Sequence, residues 1–169
     1  MTASISFNFD VNSQRLLRAI ETEDDIGAVI RLHFEIDRAY EHVVKTLIPD
    51  VAQLKHRYMD ERIRFLLAIG LPSIRVEPAR VINGIRNKFA HDEKEAFSTA
   101  DIERLSLAVE AMIGKQIPSN FALISKKQDS YREWRYGDMS LKEKFCFLGY
   151  LTLSGVATIE NDFPKVSLV

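Results

Sequence analysis

A single cysteine, Cys146, is too little for a disulfide framework or a thiolate metal site, and it sits among apolar neighbours in a helical pattern. No stretch approaches the roughly 18 consecutive apolar residues of a membrane span. The residues behind Met1 (Thr2-Ala3-Ser4-Ile5-Ser6) carry neither the basic start nor the apolar run of a secretory signal. Neither sign of charge dominates: 23 Lys and Arg against 24 Asp and Glu leave a net charge of −1 and a pI near 6.4. No global field draws such a chain to nucleic acid or membrane, so any nucleic-acid contact needs a local basic patch. A glycine-rich phosphate loop, a serine-nucleophile motif, a helix-turn-helix and internal repeats are all missing. The expectation is a soluble, cytoplasmic protein without membrane contact and without a cofactor.

What the chain does have is hydrophobic residues, 46% of 169, enough for the core of one compact domain. Ile5, Phe7, Phe9 and Val11 alternate with polar residues, as in a short strand or an arm that docks its aromatics, and a short helix over 12–21 follows with Leu16, Leu17 and Ile20 inward. Thr22 can cap a first long helix, with Glu23, Asp24 and Asp25 at the positive end of its dipole. Ile26, Ile30, His33, Tyr40, Val44 and Leu47 form its inward stripe. A second helix is expected over 50–69, either continuous or broken near Asp60, with Leu54, Tyr58, Arg62, Phe65, Leu66 and Ile69 on one side and Gly70 and Pro72 as its stop. A third begins near Pro78, with Val81, Ile82, Ile85 and Phe89 inward and Gly84 as a point of close approach by another helix. Ser98 with Asp101 and Ser140 with Glu143 are capping boxes that open two further helices. Residues 119–138 read as loop or irregular structure. The fold class is all-α: a single helical bundle divided into an arm and short helix (1–21), a core (22–117), and a variable segment with a C-terminal helix (118–169).

The third helix ends in Arg86-Asn87-Lys88-Phe89-Ala90-His91. Metal-free RNA cleavage needs a base for the 2′-hydroxyl and a grip on the phosphate; His and Arg supply these, and Asn87 can orient either. Arg86 and His91 lie five residues apart, about 140° around an ideal helix. One helix therefore cannot aim both at one phosphate unless it ends at His91 or a second copy completes the site. A structural reading stands beside the catalytic one. Arg86 can be the partner that Asp37 or Glu35 needs across two helices, while Asn87 and His91 close the helix C-terminus.

These residues resemble the Arg-x4–6-His signature of HEPN domains, all-α bundles of which several families are metal-independent endoribonucleases working as dimers. The run from Ile85 to His91 followed by Phe97-Ser98 resembles more specifically the mannitol operon repressor family, a non-catalytic branch with a similar helical fold. Ile36-Asp37 is similar to that family's Leu-Asp position, and Ala68-Ile69-Gly70-Leu71 to the end of its next helix. The resemblance covers roughly residues 26–113. It departs at the N-terminal arm, after Pro118, and at Gly84, where a larger residue is expected. It implies a regulatory protein, a transcriptional repressor working through a protein partner and forming a homodimer.

Two further groups stand out. His33 and Asp37 have the spacing of a metal pair, but two ligands do not make a site and His56 has no evident partner, so a satisfied core or interface pair is the reading and no metal is expected. Lys126, Lys127, Tyr131, Arg132, Trp134, Arg135 and Tyr136 interleave basic and aromatic residues, suited to stacked bases and phosphates, to a protein partner, or to folding back onto the bundle. Three functions follow as expectations: a non-enzymatic regulatory module, a HEPN-type ribonuclease toxin using Arg86, Asn87 and His91, and an immunity or antitoxin protein that blocks a toxin.

Overall fold

Helix α1 (Ser13–Glu21) turns tightly into α2 (Asp25–Leu47), the longest helix, and the two lie antiparallel, with Arg15 of α1 donating to Glu35 of α2 at 2.7 Å. The computed structural model describes residues 13–48, 57–91, 94–127 and 130–163. The expected N-terminal strand or arm, the first part of the second helix and the tail from Pro164 lie outside these residues. Beyond α2 come α3 (Met59–Ala68), α4 (Glu77–His91), α5 (Thr99–Ile113) and α6 (Leu141–Val156). The fold is an all-α bundle, as the periodicity predicts. No helix among the described residues is long and apolar enough to cross a membrane.

Helix α2 is the centre. It packs against α1, α3, α4 and α6, while α5 closes the bundle against α4 and α6. Its buried face is Ala28, Val29, Leu32, Glu35, Ile36, Ala39, Tyr40, Val43 and Val44. That face is turned about a quarter of a revolution from the expected stripe. Ile26 and Ile30, expected inward, are exposed. The misreading has a simple cause: Ala28 and Ala39, small residues that let neighbouring helices come close, are weak hydrophobic signals beside two isoleucines. The cap is also displaced. Asp24, and not Thr22, accepts from the Gly27 amide, while the Thr22 hydroxyl donates to the Arg18 carbonyl at 2.7 Å.

Helix α3 starts at Met59 after an extended Tyr58, so the chain is not helical across 57–58. Tyr58 and Ile69, expected on the inner side, are exposed; Met59, Arg62, Ile63 and Leu66 are the residues that go in. Both predicted capping boxes are present, Ser98 with Asp101 and Ser140 with Glu143. Among the described residues the expected close approach at Gly84 is absent, since that residue is exposed and an added Cβ would meet none of them within 4 Å. The close approach occurs at Gly149 of α6, where a Cβ would lie 2.7 Å from Leu32 Cγ of α2.

The segment expected to be irregular forms an antiparallel hairpin of β1 (Ala122–Lys127) and β2 (Ser130–Arg135), with Leu123 opposite Trp134 and Lys126 opposite Tyr131. Its base is fixed to the bundle. Ser106 and Tyr136 share a 2.9 Å hydrogen bond between their hydroxyls, and Phe121 and Tyr136 each pack on Phe147 with ring centroids 5.4 Å apart. At the other end Arg75 donates to Asp162 (2.7 Å), the Gly155 carbonyl (3.0 Å) and Thr158 (2.7 Å), holding the end of α6 against the turn before α4.

Candidate functional site

Three contacts set α4 antiparallel to α2. The Phe97 amide donates to Asp25, His33 Nε2 lies 3.1 Å from Asn83 Oδ1, and the Tyr40 hydroxyl reaches the Arg75 carbonyl at 3.4 Å. The C-terminal half of α4 therefore runs beside the N-terminal half of α2. On that stretch the sequence cluster divides. Phe89 turns inward against Phe97, whose ring centroid is 5.3 Å away, and Phe97 in turn stacks near Phe145 at 4.6 Å. Lys88 reaches Asp101 at 2.8 Å and ties α4 to α5. Arg86, Asn87 and His91 all face solvent.

The structural role expected for Arg86 is taken by other residues. Asp37 is held by Arg62 of α3, and Glu35 by Arg15 and, at 3.5 Å, Arg38. Arg86 instead donates to Asn87 Oδ1 at 3.1 Å. Nothing in the primary sequence distinguishes Arg62 from Arg86 as the partner of Asp37; α3 has to be placed first. Arg62 is almost fully buried, and its Nε finds no acceptor among the described residues, so the paired carboxylate is the compensation its charge has. Among the described residues no three His, Cys, Asp or Glu side chains come together in a way that could hold a metal ion.

His33 is half-buried at the α2–α4 seam. Burial lowers its pKa from the ordinary value; the Asn83 hydrogen bond and Asp37 oppose that shift and Arg86 reinforces it. Burial thus favours the neutral imidazole. A neutral imidazole beside an exposed guanidinium can accept a proton, so the seam has the chemistry of a base next to an anion grip, although His33 is not the histidine that the motif singles out. Cys146 offers no nucleophile: burial pushes its thiol up to about 12.

Helix α2 also carries an exposed apolar strip. Ile26, Ile30 and Phe34 recur every fourth residue on the outer side of α2, with Ile30 58% and Phe34 57% exposed, and the Arg38 guanidinium lies 5.9 Å over the Phe34 ring. On the hairpin the described arginines are engaged. Arg132 lies over Trp134 at 5.5 Å, and Trp134 is half-buried against the core with Leu123. Arg135 is on the opposite strand face, where it donates to Glu133 at 2.8 Å, and Tyr131 donates to the same carboxylate at 2.9 Å. Glu133 thus neutralises Arg135, and the two arginines do not share a face. Lys126 and Lys127 of β1 stand in register with Tyr131 and Ser130 of β2. No family model, no curated protein and no solved structure matches the chain, so the likeness to HEPN domains and to mannitol operon repressors stays a resemblance resting on the cluster at 85–91 and its neighbours.

Proposed function

We propose that the protein is a non-enzymatic regulatory module that works by binding another protein, as a transcriptional regulator acting through its partner would. The observation that carries this reading is the exposed apolar ridge of Ile26, Ile30 and Phe34 on α2, while Asn87 and His91 are exposed on α4, the helix that packs beside it. An apolar strip rimmed by polar groups is the usual anatomy of a protein contact, where a few large side chains supply most of the affinity. The near-neutral chain and the neutralised Arg135 favour a protein over a nucleic-acid partner. A second copy of the chain and a toxin in need of blocking are both partners of this kind.

The test is Ile30→Glu, which places a charge in the middle of the ridge without touching the core. Complexes purified from the source cells should lose their partner, or light scattering should show a dimer falling to monomer, with the melting temperature unchanged. Association that survives this change overturns the reading. A second reading, the metal-independent ribonuclease, is favoured by the exposure of Arg86, Asn87 and His91 together on one helix. It requires RNA breakdown in the presence of chelator that disappears in both Arg86→Ala and His91→Ala; equal activity in those variants removes it.

A further inference from the structure

The hairpin of α1 and α2 brings together arginines that are far from one another in any sequence pattern. Its antiparallel packing sets Arg15 opposite Glu35, and it places Arg18, one turn further along α1, at the same groove as Arg31, one turn back on α2. This groove, about 190 Å³, is lined by Arg15, Arg18, Arg31, Phe34 and Glu35. Its charges do not balance. The Glu35 carboxylate is already committed to Arg15 and Arg38, whereas neither Arg18 nor Arg31 has an ion pair among the described residues. Two like charges facing one opening repel one another unless an anion sits between them.

The groove continues into a shallower depression lined by Arg18, Glu21, Thr22, Glu23, Asp24 and Arg31. Asp24 is occupied there in capping α2. Glu21 and Glu23 line this depression with the two arginines and repel any anion that enters it, so the phosphate is confined to the α1–α2 groove, where the one carboxylate, Glu35, is paired. Phe34 adds the second element. Its exposed ring borders the same groove, and an aromatic face beside a guanidinium pair suits a planar base carried on a phosphate.

We propose that the α1–α2 groove binds a nucleoside monophosphate, with the phosphate gripped by Arg18 and Arg31 and the base stacked on Phe34. Two arginine forks match the three terminal oxygens of a phosphate monoester in a way that a chloride or a carboxylate cannot exploit fully. The site goes beyond the protein-contact reading and does not rest on it.

The experiment is calorimetric titration of the full chain with AMP, adenosine and inorganic phosphate in parallel. AMP is expected to bind with a stoichiometry of one, more tightly than phosphate and far more tightly than adenosine, and to raise the melting temperature. Arg18→Gln with Arg31→Gln should weaken AMP by about a hundredfold, roughly tenfold for each lost charge-assisted contact. Both side chains are exposed, so this variant should melt no lower than the wild type, which the same melting curves check. Phe34→Leu should weaken AMP about tenfold while leaving phosphate unchanged. An AMP affinity unaltered in the folded double variant, or no heat and no melting shift at millimolar AMP, overturns the proposal. Phosphate that binds as tightly as AMP, with Phe34→Leu silent, overturns the nucleoside assignment. Phe34 is common to the ridge and the groove, so retention of the protein partner by the Arg18→Gln, Arg31→Gln variant separates the phosphate grip from the ridge.

Discussion

Two glycines in helix interiors should respond to the same substitution with opposite signs. Gly84 sits in α4 with open space around its Cα, so Gly84→Ala removes backbone freedom from the unfolded chain and adds a methyl that touches nothing. The expected gain is the full propensity difference, about 1 kcal/mol, which in a chain of this size raises the melting temperature by roughly 2–4 °C. Gly149→Ala gains the same propensity and loses more. Its methyl would lie 2.7 Å from Leu32 Cγ, inside contact distance of a branch point and not merely of a chain end, and Leu32 is 1% exposed with nowhere to go. Overpacking of this kind costs about 1–3 kcal/mol. The net effect of Gly149→Ala is therefore a loss of up to about 2 kcal/mol and a fall of up to several degrees. Thermal unfolding of both variants, followed by far-UV circular dichroism, measures the signs directly. If Gly84→Ala destabilises the protein as Gly149→Ala does, another surface is packed on α4 and the exposed cluster beside it is part of an interface within the folded chain.

Asp37→Ala should cost about 3–5 kcal/mol, because it strands the buried Arg62 guanidinium, whereas adding Arg62→Met to that change should restore most of the stability; chemical denaturation of the single and double variants gives the comparison. Arg86→Ala, by contrast, should leave the denaturation midpoint within about 0.5 kcal/mol of wild type. Asp101 makes acid stability a test of the α4–α5 clamp. Burial alone raises its carboxyl, but hydrogen bonds from Lys88, Lys94 and Ser98 outweigh that and hold it well below the usual carboxylate range. Its native pKa lies below its unfolded value, so its contribution is complete above about pH 4 and is lost as the pH falls further. The melting temperature of wild type should therefore drop more steeply than that of Asp101→Asn below about pH 4, and parallel curves would refute the clamp.

Local chemistry was legible in the sequence wherever neighbours in the chain decide the outcome. The boxes at Ser98–Asp101 and Ser140–Glu143, the start of α4 at Glu77 beside Pro78, and the helical class all depend on residues within one turn of each other. Rotation of α2 was not legible. Which side of a helix is buried depends on how closely its neighbours approach, and the residues that permit approach, Ala28, Ala39 and the facing Gly149, carry little hydrophobic weight. The hairpin was hidden for a related reason. Serines, lysines and a glutamate break the alternation of β1 and β2, and the strands are fixed at their base by Phe121, Tyr136 and Phe147. The candidate site was half legible. The cluster at 86–91 marks the exposed stretch of α4, but Arg62 as the partner of Asp37, and Arg18 beside Arg31, exist only once three helices are in place.

The assignment of Asp37 to Arg62 has a consequence for how this chain can change over time. Since the ion pair that locks α2 to α3 uses no residue of the outer face of α4, substitutions at 86, 87 and 91 other than proline and glycine carry little folding penalty. Such drift is nearly invisible to the pressure that keeps the bundle folded. Any further restriction on what is tolerated there can come only from what the surface touches, so saturation libraries at 86, 87 and 91, selected first for folding and then for activity in the cell, would separate the bundle from its purpose.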